Sequence, residues 1–421
     1  MNAHPLDRNL DWLNVFLADV RDGLGPYLAI YLLTVQRWDE ASIGVVMSIG
    51  GIAAIAAQMP AGALVDRTRH KRAVIIVAAM LVTGGSLLLP WLSHFAPVAI
   101  AQAITGGAGA VFAPAIAAVT LGVVGPKAFA RRIGRNESFN HAGNAAAATL
   151  AGLAAYGFGP IAVFWLMTAM AVASVAATWT IPARAIDNDV ARGLDPRSDD
   201  GEEQPSGLRV ILTCRPLLIF AVCAALFHFA NAAMLPLVGQ KLALHDRNLG
   251  TTLMSACIVA AQLVMVPMAM LAGAKADRWG RKPLFLAGFL ILPVRGLLYT
   301  LSDASSWLVA VQLLDGVGAG LYGALFPLVV ADLTRGTGRF NISQGAISTM
   351  QGIGAALSTS VAGFIVVRAG YNSAFLFLAA VAGAALALFA LAMPETKPAA
   401  EEPAGDAAWA PVATPAAGDA E

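Results

Sequence analysis

Apolar stretches of about twenty residues, the length a helix needs to cross a bilayer core, recur twelve times along this chain. They lie near 12–35, 42–65, 73–92, 96–124, 138–158 and 161–181, and again near 216–240, 249–272, 284–301, 306–332, 343–368 and 372–393. A soluble core explains one or two such runs, not a dozen. Only 13% of the residues are charged and 58% are apolar, whereas a soluble domain carries about a quarter charged residues. The chain therefore reads as an all-α membrane protein of twelve transmembrane helices. Its net charge of +1 gives no overall pull toward nucleic acid. Cys214, Cys223 and Cys257 have no spacing that suggests a disulfide framework or a metal site, and no cofactor is expected. The first apolar segment holds Asp11, Asp19, Arg21 and Asp22. Without a basic start or an uncharged run it reads as a retained helix and not as a signal peptide.

Orientation follows from the loops. Counted from a cytoplasmic N-terminus, the cytoplasmic side takes all but six of the 27 lysines and arginines. The exceptions are Arg37, Lys241, Arg247 and Arg368 opposite, with Arg21 and Arg295 inside spans. The positive-inside rule then puts both termini in the cytoplasm and the protein in the inner (plasma) membrane. The expected layout is a six-helix bundle over 1–183, a linker over 184–215, a second bundle over 216–396 and a tail over 397–421. The linker's mixture of acids, arginines, Pro196 and Pro205 suggests flexibility, and the Ala- and Pro-rich acidic tail suggests disorder.

The two bundles read as copies. Gly62-Ala-Leu-Val-Asp66-Arg67, ending at Lys71 and Arg72, recurs as Gly273-Ala-Lys-Ala-Asp277-Arg278, ending at Lys282. The same offset of 211 residues relates Gly107 to Gly318, Gly143 to Gly354, Asn140 to Gln351 and Phe164 to Phe375. Six-helix halves in direct repetition imply parallel repeats about an axis along the membrane normal.

The Gly62-x-x-x-Asp66-Arg67-x-x-x-Lys71-Arg72 loop resembles the signature between helices two and three of the major facilitator superfamily. The Gly273–Lys282 copy resembles its counterpart between helices eight and nine. The resemblance covers residues 1 to about 396 and implies two pseudo-symmetric six-helix bundles that rock about a midplane cavity. It implies a conformational latch: Gly62 and Gly273 allow close helix approach, while Asp66 and Asp277 hold one half against the other. Asp66 is expected to meet the start of span eleven near Gly338–Ile342, with Arg67 and Arg278 in charge networks beside the latches. It also implies that spans one, four, seven and ten line the cavity.

Ionisable groups inside a bilayer are costly and mark candidate sites. Asp19 and Asp22 share a face of span one, and crowding two carboxylates in a low dielectric favours uptake of a proton. They are the leading candidates for proton coupling, with a static ion pair involving Arg21 or Arg295 as the alternative. Arg295 and Asp315 suit a structural pair or a ligand site. His228, three residues before Asn231 on span seven, suits a proton relay or a simple hydrogen bond. Gln102, Asn140, Asn144, Gln262 and Gln351 offer uncharged contacts to a solute. Glu137 and His141 are placed near the cytoplasmic start of span five and read as gate or interface residues.

Two departures from drug–proton exporters stand out. Gln102 or a neighbour occupies the place of their span-four basic residue, and Gly143–Gly152 lacks the proline of their span-five signature. The expected activity is secondary transport of a small organic solute, with efflux preferred and protons as coupling ions, by a monomer in the lipid bilayer. Proton-linked uptake of a metabolite or metal chelate is the other direction, and a non-transporting membrane sensor the other class. Without a His-Glu-x-x-His, Gly-x-Ser-x-Gly or Walker loop, an enzyme or an ATP-driven pump is not expected.

Overall fold

The computed structural model describes residues 5–22, 28, 31, 32, 35–158, 161–194, 213–245 and 250–398. Residues 23–27, the later part of the linker and the tail from residue 399 lie outside them. The described α-helices are α1 (Pro5–Asp22), α2 (Glu40–Arg67), α3 (Lys71–Leu88), α4 (Phe95–Gly109), α5 (Phe112–Phe158) and α6 (Ala162–Thr180). The second half continues with α7 (Arg215–Ala232), α8 (Met234–His245), α9 (Gly250–Trp279), α10 (Arg281–Leu298), α11 (Ser305–Leu333) and α12 (Phe340–Ala392). No strand occurs among the described residues.

Eight helical stretches are long and apolar enough to cross a membrane, and two of them run to 57 and 53 residues. At about 1.5 Å per residue either would measure about 80 Å, more than twice a bilayer core of about 30 Å. Both are broken. Gly125 (φ 72°, ψ 170°) interrupts α5 and Gly370 (φ 84°, ψ 172°) interrupts α12, in a conformation only glycine adopts without strain. Each break leaves two arms, so every predicted span has a helix or an arm.

The core is split in the same way as the sequence. One buried apolar cluster draws on Leu10, Val65, Phe112 and Phe164 of the first half. The other centres on Phe220, Phe285, Phe289 and Phe389 of the second, with Phe289 stacked on Phe389 at 4.9 Å. Leu121, Phe129 and Ile133 of the first half and Val190 of the linker segment join that second cluster. The outside is apolar: Leu391 is 88% exposed and Trp165 63%, surfaces that water would penalise and lipid tails cover.

The halves meet at the end of the bundle carrying Asp66–Arg72 and Asp277–Lys282, here called the basic end. Two seams close it. In the first, α2 crosses the first arm of α12. A Cβ on Gly62 would lie 2.2 Å from the Asn341 carbonyl oxygen, and one on Gly345 would lie 2.1 Å from that of Gln58. In the second, the second arm of α5 crosses α9, where a Cβ on Gly134 would lie 2.5 Å from Cα of Gly273. The offset of 211 carries Gly62 onto Gly273 and Gly134 onto Gly345, so the seams are repeat-related. Backbone rests on backbone, and no other residue fits.

Two expectations need correction. Span five starts not near 138 but directly after the Gly125 break, where Pro126 occupies a position that needs no N–H. Lys127 to Arg135 are therefore helical and not loop. The apolar-run criterion stopped at these charges because it cannot see their partners: Arg132, 3% exposed, bonds Asp11 at 2.7 Å, and Arg135 bonds the same carboxylate at 2.6 Å. The start of the linker is also ordered against expectation. Residues 183–194 form two 3₁₀ turns held to both halves. Asp187 N donates to Gly122 O at 3.0 Å and Gly336 N donates to Gly193 O at 2.7 Å. Composition predicts flexibility only where no partner satisfies the backbone.

Candidate functional site

The first seam carries a carboxylate clamp. Asn341 and Ile342 are the second and third residues of α12, so their N–H groups lack partners within the helix. Asp66, 6% exposed at the end of α2, accepts from Asn341 N at 3.2 Å, Ile342 N at 2.8 Å and Asn341 Nδ2 at 2.8 Å. A negative group at a helix N-terminus also complements the helix dipole. Asn341 Nδ2 further donates to Ala191 O at 3.0 Å, tying the linker segment to the clamp.

At the second seam Asp277 makes no such bond. Its side chain is 57% exposed and accepts from Arg281 at 2.7 Å, while Arg281 also reaches Asp332 at 3.0 Å. A cavity of about 490 Å³ remains there, lined by Lys127, Phe129, Asp277, Arg281, Asp332 and Arg335 among others. Arg67 and Arg278 both stand exposed at the surface. Glu395 fixes the start of α10: it accepts from Arg281 N at 2.8 Å and Lys282 N at 3.1 Å, and from Thr396 N and Lys397 N. Burial pushes its carboxyl up, but the four backbone N–H groups outweigh this and hold it below its ordinary value of 4.5.

Above the seams, polar side chains from both halves converge at one depth. Glu137 stands eleven residues into its arm, Tyr322 eleven before the end of α11 and Gln351 eleven into α12. All three therefore sit about 16 Å from the basic end, near the middle of a core about 30 Å thick. Gln351 Nε2 donates to Tyr322 OH at 2.7 Å. The His228 ring stands edge-on to Tyr322 with centroids 5.0 Å apart, and Phe227 stacks on Tyr322 at 4.8 Å. His228 Nδ1 lies 3.0 Å from Ala224 O. A carbonyl only accepts, so Nδ1 carries the proton and Nε2 is left as an acceptor in the neutral ring. Opposite, His141 Nδ1 meets Gln262 Oε1 at 2.8 Å across the second seam. Glu137, Asn140, His141 and Asn144 share one helix face by their spacing. Gln102 lies apart on α4, against the bare backbone of Gly50.

Asn231, Arg295 and Asp315 lie within the second half, away from this ring. Arg295, 1% exposed, pairs with Asp315, donates to Asn231 Oδ1 at 2.5 Å and touches Met234 Sδ. Gln312 Nε2 donates to Asp315 at 2.9 Å, and Tyr299 OH donates to Gln312. A buried charge needs this many partners, and the network joins α7, α10 and α11 as a brace. Asp19, Arg21 and Asp22 are in the last turn of α1, but their side chains lie outside the description.

Sequence reasoning missed the central place of Glu137. It put this residue at a helix end because it started span five at 138. The signal was present in Gly125-Pro126, a break followed by a favoured helix start.

The Major Facilitator Superfamily profile matches residues 12–274 and 217–418. An uncharacterized MFS-type transporter of Mycobacterium tuberculosis is 61% identical over 389 residues, covering 92% of this chain and 93% of that one. The human organic anion transporter MFSD10 superposes with a TM-score of 0.68 at 15% identity, over 92% of this chain and all of that one. The proton:xylose symporter XylE gives 0.71 at 13% identity, over 93% and 96%. Profile, relative and fold agree with the duplicated signature loops, and the chain belongs to the Major Facilitator Superfamily.

Proposed function

We propose that this transporter moves a small organic solute outward across the plasma membrane by alternating access, driven by protons. The supporting observation is the vertical order of the molecule: two seams closed at the basic end, with a polar ring from both halves above them. That is the arrangement of a solute path shut on one side. The basic end is the cytoplasmic one by the positive-inside rule. The Asp66 clamp holds that end shut, and breaking its three charge-assisted bonds, each worth about 1.5–3 kcal/mol in a dry site, admits solute from the cytoplasm. Asp19 and Asp22 on α1 are candidate carriers of the coupling proton. The ring has few charges and an aromatic side at His228, Phe227 and Tyr322, which suits an amphiphilic solute better than a sugar.

The test is flux in proteoliposomes under an imposed pH gradient, with solutes screened by class. The expected result is uphill movement of at least one amphiphilic solute against the proton gradient, abolished when the gradient is collapsed. Accumulation in the direction of proton flow would instead establish uptake. Flux indifferent to the gradient for every transported solute would overturn proton coupling.

A further inference from the structure

We propose that the C-terminal segment of this chain docks in the second-seam cavity, with Glu401 and Glu402 on its basic rim and Trp409 on its apolar floor. The inference goes beyond the transport reading and depends on neither its direction nor its coupling ion.

The cavity lies where the halves meet without a clamp. The second arm of α5 contributes Lys127 and Phe129, the linker segment Val190, α9 Asp277, α10 Arg281 and α11 Leu328. Its volume of about 490 Å³ falls in the range of pockets that take a ligand, about 300–1,000 Å³. The floor is apolar: Leu121, Phe129 and Leu328 line it and are buried. The rim is charged, with Lys127, Arg281, Arg335 and Lys397 against Asp277 and Asp332. Arg281 serves both carboxylates, at 2.7 and 3.0 Å, so the rim is positive on balance. The N-terminus of the second arm of α5 opens there too, through Pro126 and Lys127, and adds the positive end of its dipole. Such a site suits an occupant with carboxylates and one large apolar group.

The chain delivers one. Residues 395–398 are pinned at the edge of the cavity. Glu395 accepts from Arg281 N and Lys282 N, Thr396 Oγ1 donates to Asp332 at 3.4 Å, and Lys397 and Pro398 belong to the lining. Residues 399–421 then hold five acids, no base and a single aromatic residue, Trp409. At about 3.5 Å per residue, Glu402 stays within about 14 Å of Pro398, close to the rim. Trp409 lies eleven residues on, a root-mean-square span of about 17–20 Å for a loose chain, enough to fold back onto the floor. A short tether keeps it at about millimolar effective concentration, so modest contacts fill the cavity. The linker also leaves the cavity edge, at Leu194, but residues 195–212 carry Arg197 and Arg209 and no aromatic side chain. They match the rim less well and offer the floor no ring.

A docked segment touches α5 and the linker segment on one side and α10 and α11 on the other. It supplies at the second seam the contact between halves that Asp277 does not make, and opening the basic end must expel it.

The full-length protein in liposomes is tested with Trp409→p-benzoylphenylalanine, a photoreactive side chain that keeps the aromatic bulk. Illumination should join position 409 to peptides holding Phe129 or Leu328, and within one molecule when isotope-labelled and unlabelled chains are mixed. Lys127→Glu with Arg335→Glu should cut the yield by about threefold or more, the effect of losing two exposed charge pairs. Adding Glu401→Lys and Glu402→Lys should restore it. Without the probe, Trp409→Ala should speed amide exchange at residues 127–129 by about threefold or more, since the occupant covers them. Cross-links to the linker, to lipid or only to a second copy would give the cavity another occupant and overturn the proposal. So would a yield that ignores the charge swap, or absent cross-links together with unchanged exchange in Trp409→Ala. None of these results bears on the flux test, so the transport reading stands or falls separately.

Discussion

The two seams at the basic end descend from one repeated sequence, yet only one is clamped. Both keep the glycine that lets backbones touch, and both keep the aspartate four residues later. What differs is where the facing helix begins. Asn341 is the second residue of α12, and its N–H is free for Asp66. The repeat-equivalent residue is Ala130, which lies four residues inside an arm that starts at Pro126. Its N–H is past the unsatisfied first turn, so Asp277 finds no donor and turns to Arg281. A repeat preserves a motif, but three extra residues of helix remove what the motif acts on. In this structure the basic end is therefore bonded across the halves by the aspartate of one seam and not by that of the other.

The largest effect should come from what the seams share. Gly62→Val and Gly134→Val both force a Cβ into backbone at under 3 Å, and overpacking of that kind costs about 1–3 kcal/mol or more. Both variants should lose most of the closed population by hydrogen exchange at α12. If Gly134→Val left closure intact, the second seam would be dispensable.

The clamp separates the seams next. Asp66→Asn should weaken closure by about 2 kcal/mol, or about thirtyfold in the closed-to-open ratio, because the amide carries no charge for the two backbone donors. Asp277→Asn should change that ratio less than about twofold. Equal effects would mean that the second aspartate engages α5 in a state other than this one.

The smallest effect concerns the helices that follow the two signature loops. The start of α10 is fixed by Glu395, whereas α3 has no side-chain cap at His70. Glu395 is held below 4.5 in the fold, so its contribution is present above that value and is lost as pH falls through the lower folded value. Much of the group is exposed, and screening reduces the contribution to about half a kcal/mol. Glu395→Gln should lower the melting temperature slightly at about pH 7, and the difference from wild type should shrink as pH falls below the ordinary value of 4.5. A difference that persisted at low pH would show that shape rather than charge caps α10.

Much of this was legible in the chain. The apolar runs, the offset of 211 and the signature loops carried the fold, because lipid leaves a spanning backbone few options besides helix and duplicated halves repeat their small residues. The candidate site was less legible. Arg295 and Asp315 looked alike as buried charges, but only packing showed them tied to Asn231 and Gln312 in a brace. Glu137 was visible, but its depth depended on where a helix begins, and the charges after Gly125 hid that start.

The sequence by itself determined how many helices there are, that they form two related sets, and which end is basic, since each follows from hydrophobicity and charge read locally. Only the tertiary structure decided which aspartate clamps and which charges neutralise one another. Those outcomes depend on angstrom-scale distances between residues far apart in the chain, where one turn of helix decides whether a donor is free.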